Sequence, residues 1–357
     1  ANASTTGGAF TAGPVVSDEF AHPAELHIDV EDGQTMEIGT VVINGSVRVV
    51  KEGAGTLMSG TTKQYNNGGW EIAAGTVKPS DNPGKNQSFG VFHSTIIVRA
   101  GATYDMNGQY DSRYYDFVLD GGTIANTGAD ISGEHSCMGK ITLSTDSALS
   151  VKSSFSLWDV VNLNGHTLDV DLGHKNLCLF DVAATFANGT VNLHDGGWLQ
   201  ACPETGGLRD MKTVDFVMDA ALFLQFDMAV RNLTAAFQKS NVSGDGKINV
   251  YGVFTPTSDY IHNFVLQDGA TLNLADRSGA YNLKSSLTGK TLGFAEDALT
   301  VRVALGDRKV RSGERIVAWE AGSTPNVKFC SEAGGKYRLS AKDDGLYAET
   351  GFMIVVH

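Results

Sequence analysis

The chain has 357 residues, of which 42% are hydrophobic and 19% charged, with 42 Gly and 7 Pro. That is enough apolar material for a core and too little charge for a solvated coil, so collagen-like and disordered chains are excluded. The 27 Lys and Arg against 40 Asp and Glu leave a net charge of −13, which argues against nucleic acid or an anionic membrane as principal partner. The longest apolar run, 220–224, is far shorter than the roughly 20 residues that cross a bilayer, so the chain is not expected to span a membrane.

The N-terminal Ala1-Asn2-Ala3-Ser4-Thr5-Thr6-Gly7-Gly8 carries no Met and no basic or apolar signal region. It reads as a mature or trimmed end from which a signal peptide has been removed. Residues 1–40 are expected to form an N-terminal segment and cap.

From residue 41 to 297 the chain repeats a turn followed by a short alternating strand. The clearest copies are Gly53-Ala54-Gly55-Thr56-Leu57, Ala73-Ala74-Gly75-Thr76-Val77, Ala100-Gly101-Ala102-Thr103-Tyr104, Gly121-Gly122-Thr123-Ile124, Asn188-Gly189-Thr190-Val191 and Asp268-Gly269-Ala270-Thr271-Leu272. Looser copies occur at Ser147-Ala148-Leu149, Gly165-His166-Thr167-Leu168, Ala220-Ala221-Leu222, Gly246-Lys247-Ile248 and Gly289-Lys290-Thr291-Leu292. Between Gly55 and Gly289 there are ten intervals, (289 − 55)/10 = 23.4 residues per repeat. Period-two apolar residues flank the turns, as at Ile141 and Leu143 or Leu168, Val170 and Leu172, and predict strands of about three to six residues. Glycine suits the turn because a residue without Cβ enters positive φ cheaply, and Asn164, Asn188 and Asp268 tolerate that conformation too. One such unit cannot bury its own apolar face, whereas stacked units share a continuous core. The expected fold is therefore all-β, a parallel β-solenoid.

Within 216–237, Met218, Leu222, Met228, Ala229 and Leu233 also fit helical spacing. Strands around Phe223 and Val230 are preferred because the repeat continues on both sides. After residue 297 the spacing changes, and 298–318 and 328–356 predict paired strands, a C-terminal β subdomain or cap over the last coil's open edges.

Residues 48–80 carry the most specific pattern, Val50-Lys51-Glu52-Gly53-Ala54-Gly55-Thr56-Leu57-Met58-Ser59-Gly60 followed by Ala73-Ala74-Gly75-Thr76-Val77. This resembles the autotransporter-associated β-strand repeat, roughly K-x-G-x-G-T-L-x-L-S-G, a polar insert, and I-x-x-G-T-L. The resemblance covers one clear copy and several loose ones. It implies a right-handed parallel β-helix secreted to bacterial surfaces, of adhesive or unknown role. The C-terminal membrane barrel of such proteins has no counterpart here, and the motif carries no catalytic residue.

The candidate chemistry is scattered. The nine histidines show no H-x-x-x-H or H-E-x-x-H spacing, no two cysteines stand at C-x-x-C, and neither a metal nor a cofactor is expected. His135 and Cys137 share a short segment without a cysteine-nucleophile signature. Cys178 and Cys202, 202 − 178 = 24 residues apart, fall on adjacent coils and are a candidate disulfide, two unbonded core thiols being the alternative. Asp105, Asp111, Asp116, Asp120 and Asp130 are a candidate acidic row, as a glycoside hydrolase or polysaccharide lyase on this scaffold would use. The densest surface signal is 104–116, where Tyr104, Tyr110, Asp111, Arg113, Tyr114, Tyr115 and Asp116 are glycan-binding candidates. Sugar C–H faces stack on aromatic rings and hydroxyls pair with Asp and Arg. The competing reading has Tyr104 and Tyr115 packing coil on coil as core aromatics. A turn-rich insertion at 79–88 is expected to protrude.

The leading functional expectation is a non-catalytic, secreted or surface-exposed solenoid of structural or adhesive role, contacting a polysaccharide or host-surface glycan. The alternatives are a carbohydrate-active lyase or hydrolase on the same fold and a self-assembling extracellular filament subunit.

Overall fold

The computed structural model describes residues 25–38, 47–59, 68–79, 94–107, 115–128, 136–137, 139–153, 155–173, 175–179, 184–194, 198–201, 208–218, 221–224, 227–235, 242–243, 248–256, 264–282, 293–294, 299–322, 324–332 and 337–350. The fold is all-β, a parallel β-solenoid of about seven turns. No helix among the described residues is long and apolar enough to cross a membrane. The chain divides into two compact units, Ala1–Thr205 and Gly206–His357.

In the first unit each coil contributes one strand to each of two parallel ladders. The first ladder stacks Glu25–Asp29, Arg48–Glu52, Trp70–Ile72, Thr95–Arg99, Asp116–Asp120, Ile141–Leu143, Val161–Asn162 and Phe186–Ala187. The second stacks Thr35–Ile38, Thr56–Ser59, Thr76–Pro79, Thr103–Asp105, Thr123–Asn126, Ser147–Val151, Thr167–Asp171 and Gly189–His194. A third, shorter ladder stacks Ser136–Cys137, Phe155–Leu157, Asn176–Leu179 and Trp198–Ala201. Among the described residues, pairing in the first two ladders starts at residues 25–38.

Register explains the core. Equivalent residues of successive coils lie directly over one another, so Leu26, Val49, Trp70, Ile96, Phe117, Ile141, Val161 and Phe186 form one inward column. Facing it from the second ladder is Met36, Leu57, Val77, Tyr104, Ile124, Leu149, Val170 and Leu193. From the second coil on, every member of both columns is buried. Outward residues of the same strands are mostly part-exposed, the period-two alternation of a one-sided sheet.

The repeated threonines superimpose as the turn motif requires. Thr35, Thr56, Thr76, Thr103 and Thr123 occupy one outward column. The corner before them is crowded: Gly75 has φ +68°, and a Cβ there would lie 2.4 Å from the Gly55 carbonyl oxygen and 2.6 Å from that of Gly53. Beyond Thr123 the column continues as Ala148, Asp169 and Asn192, while Thr167 stacks on Thr190 two residues earlier in the strand. The motif therefore slips by two residues between these coils. A slip of two keeps every side chain on its own face, where a slip of one would invert the sheet. Asn164 and Asn188, expected at turns, have φ +49° and +59°.

In the second unit the parallel pairing runs from Arg209–Met218 to Met228–Ala235, then to Ile248–Val250 and Val253–Pro256, and on to Phe264–Leu266 and Thr271–Asn273. Gly293–Phe294, Leu299–Ala304 and Val327–Ser331 extend it. Residues 216–237 contain strands, Arg209–Met218, Ala221–Leu224 and Met228–Ala235, and no helix among the described residues. Apart from an isolated antiparallel bridge between Arg99 and Gly121, antiparallel pairing among the described residues is confined to the C-terminal side, where Gly345–Thr350 lies between Glu314–Ala318 and Tyr337–Lys342. Tyr281–Asn282 joins that sheet in parallel.

Candidate functional surface

The two kinds of connection in the first unit differ sharply in length. Passage from first to second ladder takes one to five residues, such as 53–55, 73–75 and 100–102, because the Gly-Thr corner closes it tightly. Return from second to first ladder takes nine to fifteen residues in the first five coils, over 39–47, 60–69, 80–94, 106–115 and 127–140. The third ladder begins inside the last of these returns, at Ser136–Cys137. In a stack with in-register ladders, all such returns leave and re-enter along the same side. The strands at either end of these returns are stacked in register, and the segments 60–67, 80–93, 108–114 and 129–135 between them lie outside the described residues.

Their composition is polar and aromatic. They include Tyr65, Asn66 and Asn67, then Asn82, Lys85, Asn86 and Gln87, then Tyr110, Asp111, Arg113 and Tyr114. Those last four candidates lie outside the described residues, as do Asp130 and most of the turn-rich insertion at 79–88.

The described members of the tyrosine cluster have other duties. Tyr104 is 2% exposed and sits in the inward column with its ring centroid 5.0 Å from that of Phe117. Tyr115 is 3% exposed. Both rings are core, so neither offers a face to a sugar. Asp116 is half-buried, and its Oδ1 accepts a hydrogen bond from the Lys140 amide at 3.0 Å.

The acidic row is similarly committed. Asp105 is buried; its Oδ1 accepts the amides of Asn107 at 2.9 Å and Thr127 at 3.0 Å, and its Oδ2 accepts the Thr127 hydroxyl. This carboxylate ties one coil to the next. Asp120 accepts from Arg99 Nη1 at 2.7 Å, while Arg99 Nε donates at 2.8 Å to Glu71, which also receives Arg48 Nη1 at 3.4 Å. Arg48, Glu71, Arg99 and Asp120 make a charge-alternating spine over four coils. Exposed pairs of this kind add little stability each, but they fix the register of the outward face. No cluster of three or more His, Cys, Asp or Glu among the described residues is arranged to hold a metal ion.

Three histidines are described, each beside a carboxylate. His27 lies 3.2 Å from both Glu25 and Glu52, His166 lies 3.7 Å from Asp146, and His194 lies 3.5 Å from Asp169. The hydrogen bond to Glu52 raises the His27 pKa above its ordinary 6.5.

One buried group was not singled out from the sequence. Lys51 has no exposed surface and occupies the inward column Ile28, Lys51, Ile72, Val98, Leu119 and Leu143. Its Nζ donates to the carbonyls of Glu52 at 2.8 Å, Gly53 at 2.7 Å and Ala74 at 3.0 Å. Burial pulls its pKa down to about 8, opposed by the charge of Asp29. The signal was present as the Lys of the K-x-G-x-G-T motif, whose two-residue spacing to Gly53 places that carbonyl under the ammonium.

Cys178 is disulfide-bonded, and Cys202 lies outside the described residues. Comparison of the chain with known protein families, curated proteins and solved structures finds no match.

Proposed function

We propose that the chain is a secreted or surface-exposed β-solenoid of structural and adhesive role that holds polysaccharide on the loop-bearing side of its first five coils. The observation that carries this reading is topological. The strands that the second-to-first-ladder connections join are stacked in register, and the sequences of those connections supply the tyrosines, amides, Asp111 and Arg113 that suit stacking and hydrogen bonding to sugars. The autotransporter-like motif over 48–80 and the disulfide at Cys178, a bond that persists in oxidising compartments, support placement outside the cytoplasm.

A non-catalytic role is favoured over hydrolysis or elimination because Asp105, Asp116 and Asp120 serve backbone amides and Arg99. A glycosidase needs two carboxyl groups facing a common bond with space for substrate between them.

The test is retention on a panel of acidic and neutral polysaccharides, with new reducing and unsaturated ends followed in parallel. Retention without new ends is expected. The paired change Tyr110→Ala and Tyr114→Ala should abolish retention while leaving the far-UV spectrum of the sheet intact. Release of new ends, or retention indifferent to both tyrosines, overturns the proposal.

A further inference from the structure

Cys178 stands in the third ladder, buried, in register with Ser156 on one side and Gln200 on the other. It is disulfide-bonded. The chain has four cysteines, and Cys330, on the strand Val327–Ser331 of the second unit, is free. An intramolecular partner is thus Cys137 or Cys202.

Register separates the two. Cys137 aligns with Leu157, which aligns with Leu179 rather than Cys178. It is therefore two strand spacings away and one residue out of step, about 10 Å between Cα atoms at roughly 4.8 Å per strand. Disulfides bridge Cα atoms no more than about 7 Å apart. Cys202 follows Ala201, the last residue of the adjacent strand, and lies two residues past Gln200. Cys202 lies outside the described residues, and with Cys330 free and Cys137 too distant it is the remaining intramolecular partner.

We infer that Cys178 and Cys202 form a covalent staple that closes one complete coil, and that the protein matures where a disulfide donor is present. In the forming step, the Cys202 or Cys178 thiolate attacks an oxidised dithiol donor to give a mixed disulfide. The second cysteine thiolate then displaces the donor, which leaves as the dithiol. Two electrons pass to the donor, and the two cysteine thiols give up two protons. The ring so closed contains the strands Asn176–Leu179, Phe186–Ala187, Gly189–His194 and Trp198–Ala201. The staple therefore locks a coil that contributes to all three ladders. This inference stands apart from glycan binding, and failure of the polysaccharide test leaves it untouched.

The experiment is alkylation of the unfolded, unreduced full chain followed by peptide mass mapping. Two thiols, Cys137 and Cys330, should be alkylated, rising to four after reduction, and one linked peptide pair should contain residues 178 and 202. Cys202→Ser should give three reactive thiols, whereas Cys137→Ser should give one and keep the linked pair. Hydrogen exchange in Asn176–Leu179 should accelerate roughly tenfold or more in Cys202→Ser. A 137–178 linkage, a disulfide-linked dimer on non-reducing gels, or four reactive thiols before reduction overturns the assignment.

Discussion

Replacing Lys51 by Met tests how a charged side chain came to stand in an apolar column. Two effects compete. Lowering of the Lys51 pKa from 10.5 to about 8 means that holding the ammonium in the fold, rather than the neutral amine, costs roughly 3 kcal/mol at pH 7. The Lys51→Met variant escapes that cost. Against it, Met donates nothing to the carbonyls of Glu52, Gly53 and Ala74. The Glu52 carbonyl also receives the Val30 amide at 3.1 Å, so Gly53 and Ala74 bear the loss. An acceptor stripped of its donor costs about 1–3 kcal/mol, which sums to roughly 2–6 kcal/mol for the pair. At pH 7 the two effects largely cancel, and Lys51→Met should change stability by no more than about 3 kcal/mol in either direction.

The pH dependence separates them. Between pH 8 and 10.5 the folded chain has lost the Lys51 proton while the unfolded chain retains it, so ν_U exceeds ν_N and stability rises with pH. The wild type therefore gains on the Met variant across that window. At pH 10.5 the variant should be less stable by roughly 2–6 kcal/mol, the carbonyl cost alone. A solenoid need not unfold in one step, so a local reporter is required. Trp70 pairs with Val49, two positions from Lys51, and its fluorescence through urea unfolding suits the purpose once the other three of the four tryptophans are changed to Phe. A large deficit of Lys51→Met at pH 7 that shrinks toward pH 10.5 would refute the reasoning, because it would mean the three carbonyls hold the ammonium more strongly than burial expels it.

Gly75→Ala places a Cβ 2.4 Å from the Gly55 carbonyl oxygen at φ +68° and should cost about 2 kcal/mol or more. Gly101→Ala, at φ +76° with nothing within 4 Å, should cost only about 1 kcal/mol, and equal losses on denaturation would deny that the corner at Gly75 is stacked. The buried Tyr337 hydroxyl accepts the Leu305 amide at 3.1 Å and donates to the Val303 carbonyl at 3.0 Å. Tyr337→Phe should destabilise by about 1–3 kcal/mol and accelerate hydrogen exchange at Leu305, and unaltered exchange would count against the bond. His27, its pKa raised chiefly by the bond to Glu52, contributes stability that is complete below pH 6.5 and fades as pH rises through its folded value. Because the pair is exposed the effect is under about 1 kcal/mol, so an NMR titration of the imidazole is the better assay. Glu52→Gln should shift the midpoint downward, and an unmoved midpoint removes Glu52 as the cause.

Much of this fold was legible because parallel stacking reproduces in space what the chain repeats in sequence. Thr56, Thr76, Thr103 and Thr123 were recognisable as equivalents, and they occupy one column. The copy at Thr167 misled by two residues. Local turn chemistry marks where a corner is made, but the inward column of Leu149, Val170 and Leu193 sets the register, and packing tolerates any even shift of the turn. Tyr104 and Tyr115 illustrate a different limit. Their neighbours Asp105, Asp111 and Arg113 made the segment resemble a sugar-binding surface, whereas strand alternation places Tyr104 between Val77 and Ile124 in the core. Asp105 was visible as a carboxylate but not as the partner of the Asn107 and Thr127 amides, since that role depends on which coil lies beside it.

The irregular spacing of the repeat has a single geometric origin. Thr56 and Thr76 are 20 residues apart, while Thr76 and Thr103 are 27 apart, and most of the difference lies in the return from second to first ladder, 60–69 against 80–94. A Gly-Thr corner that must fit beneath the one above has little room for insertion, as the carbonyls around Gly75 show. The returns carry no such restriction, so their length varies from nine to fifteen residues in the first five coils and their sequences are polar and aromatic. Variation in a solenoid collects where stacking does not forbid it. The same argument that makes the corners uninformative about binding makes the returns, and within them Tyr110, Asp111, Arg113 and Tyr114, the place where specificity for a partner would be written.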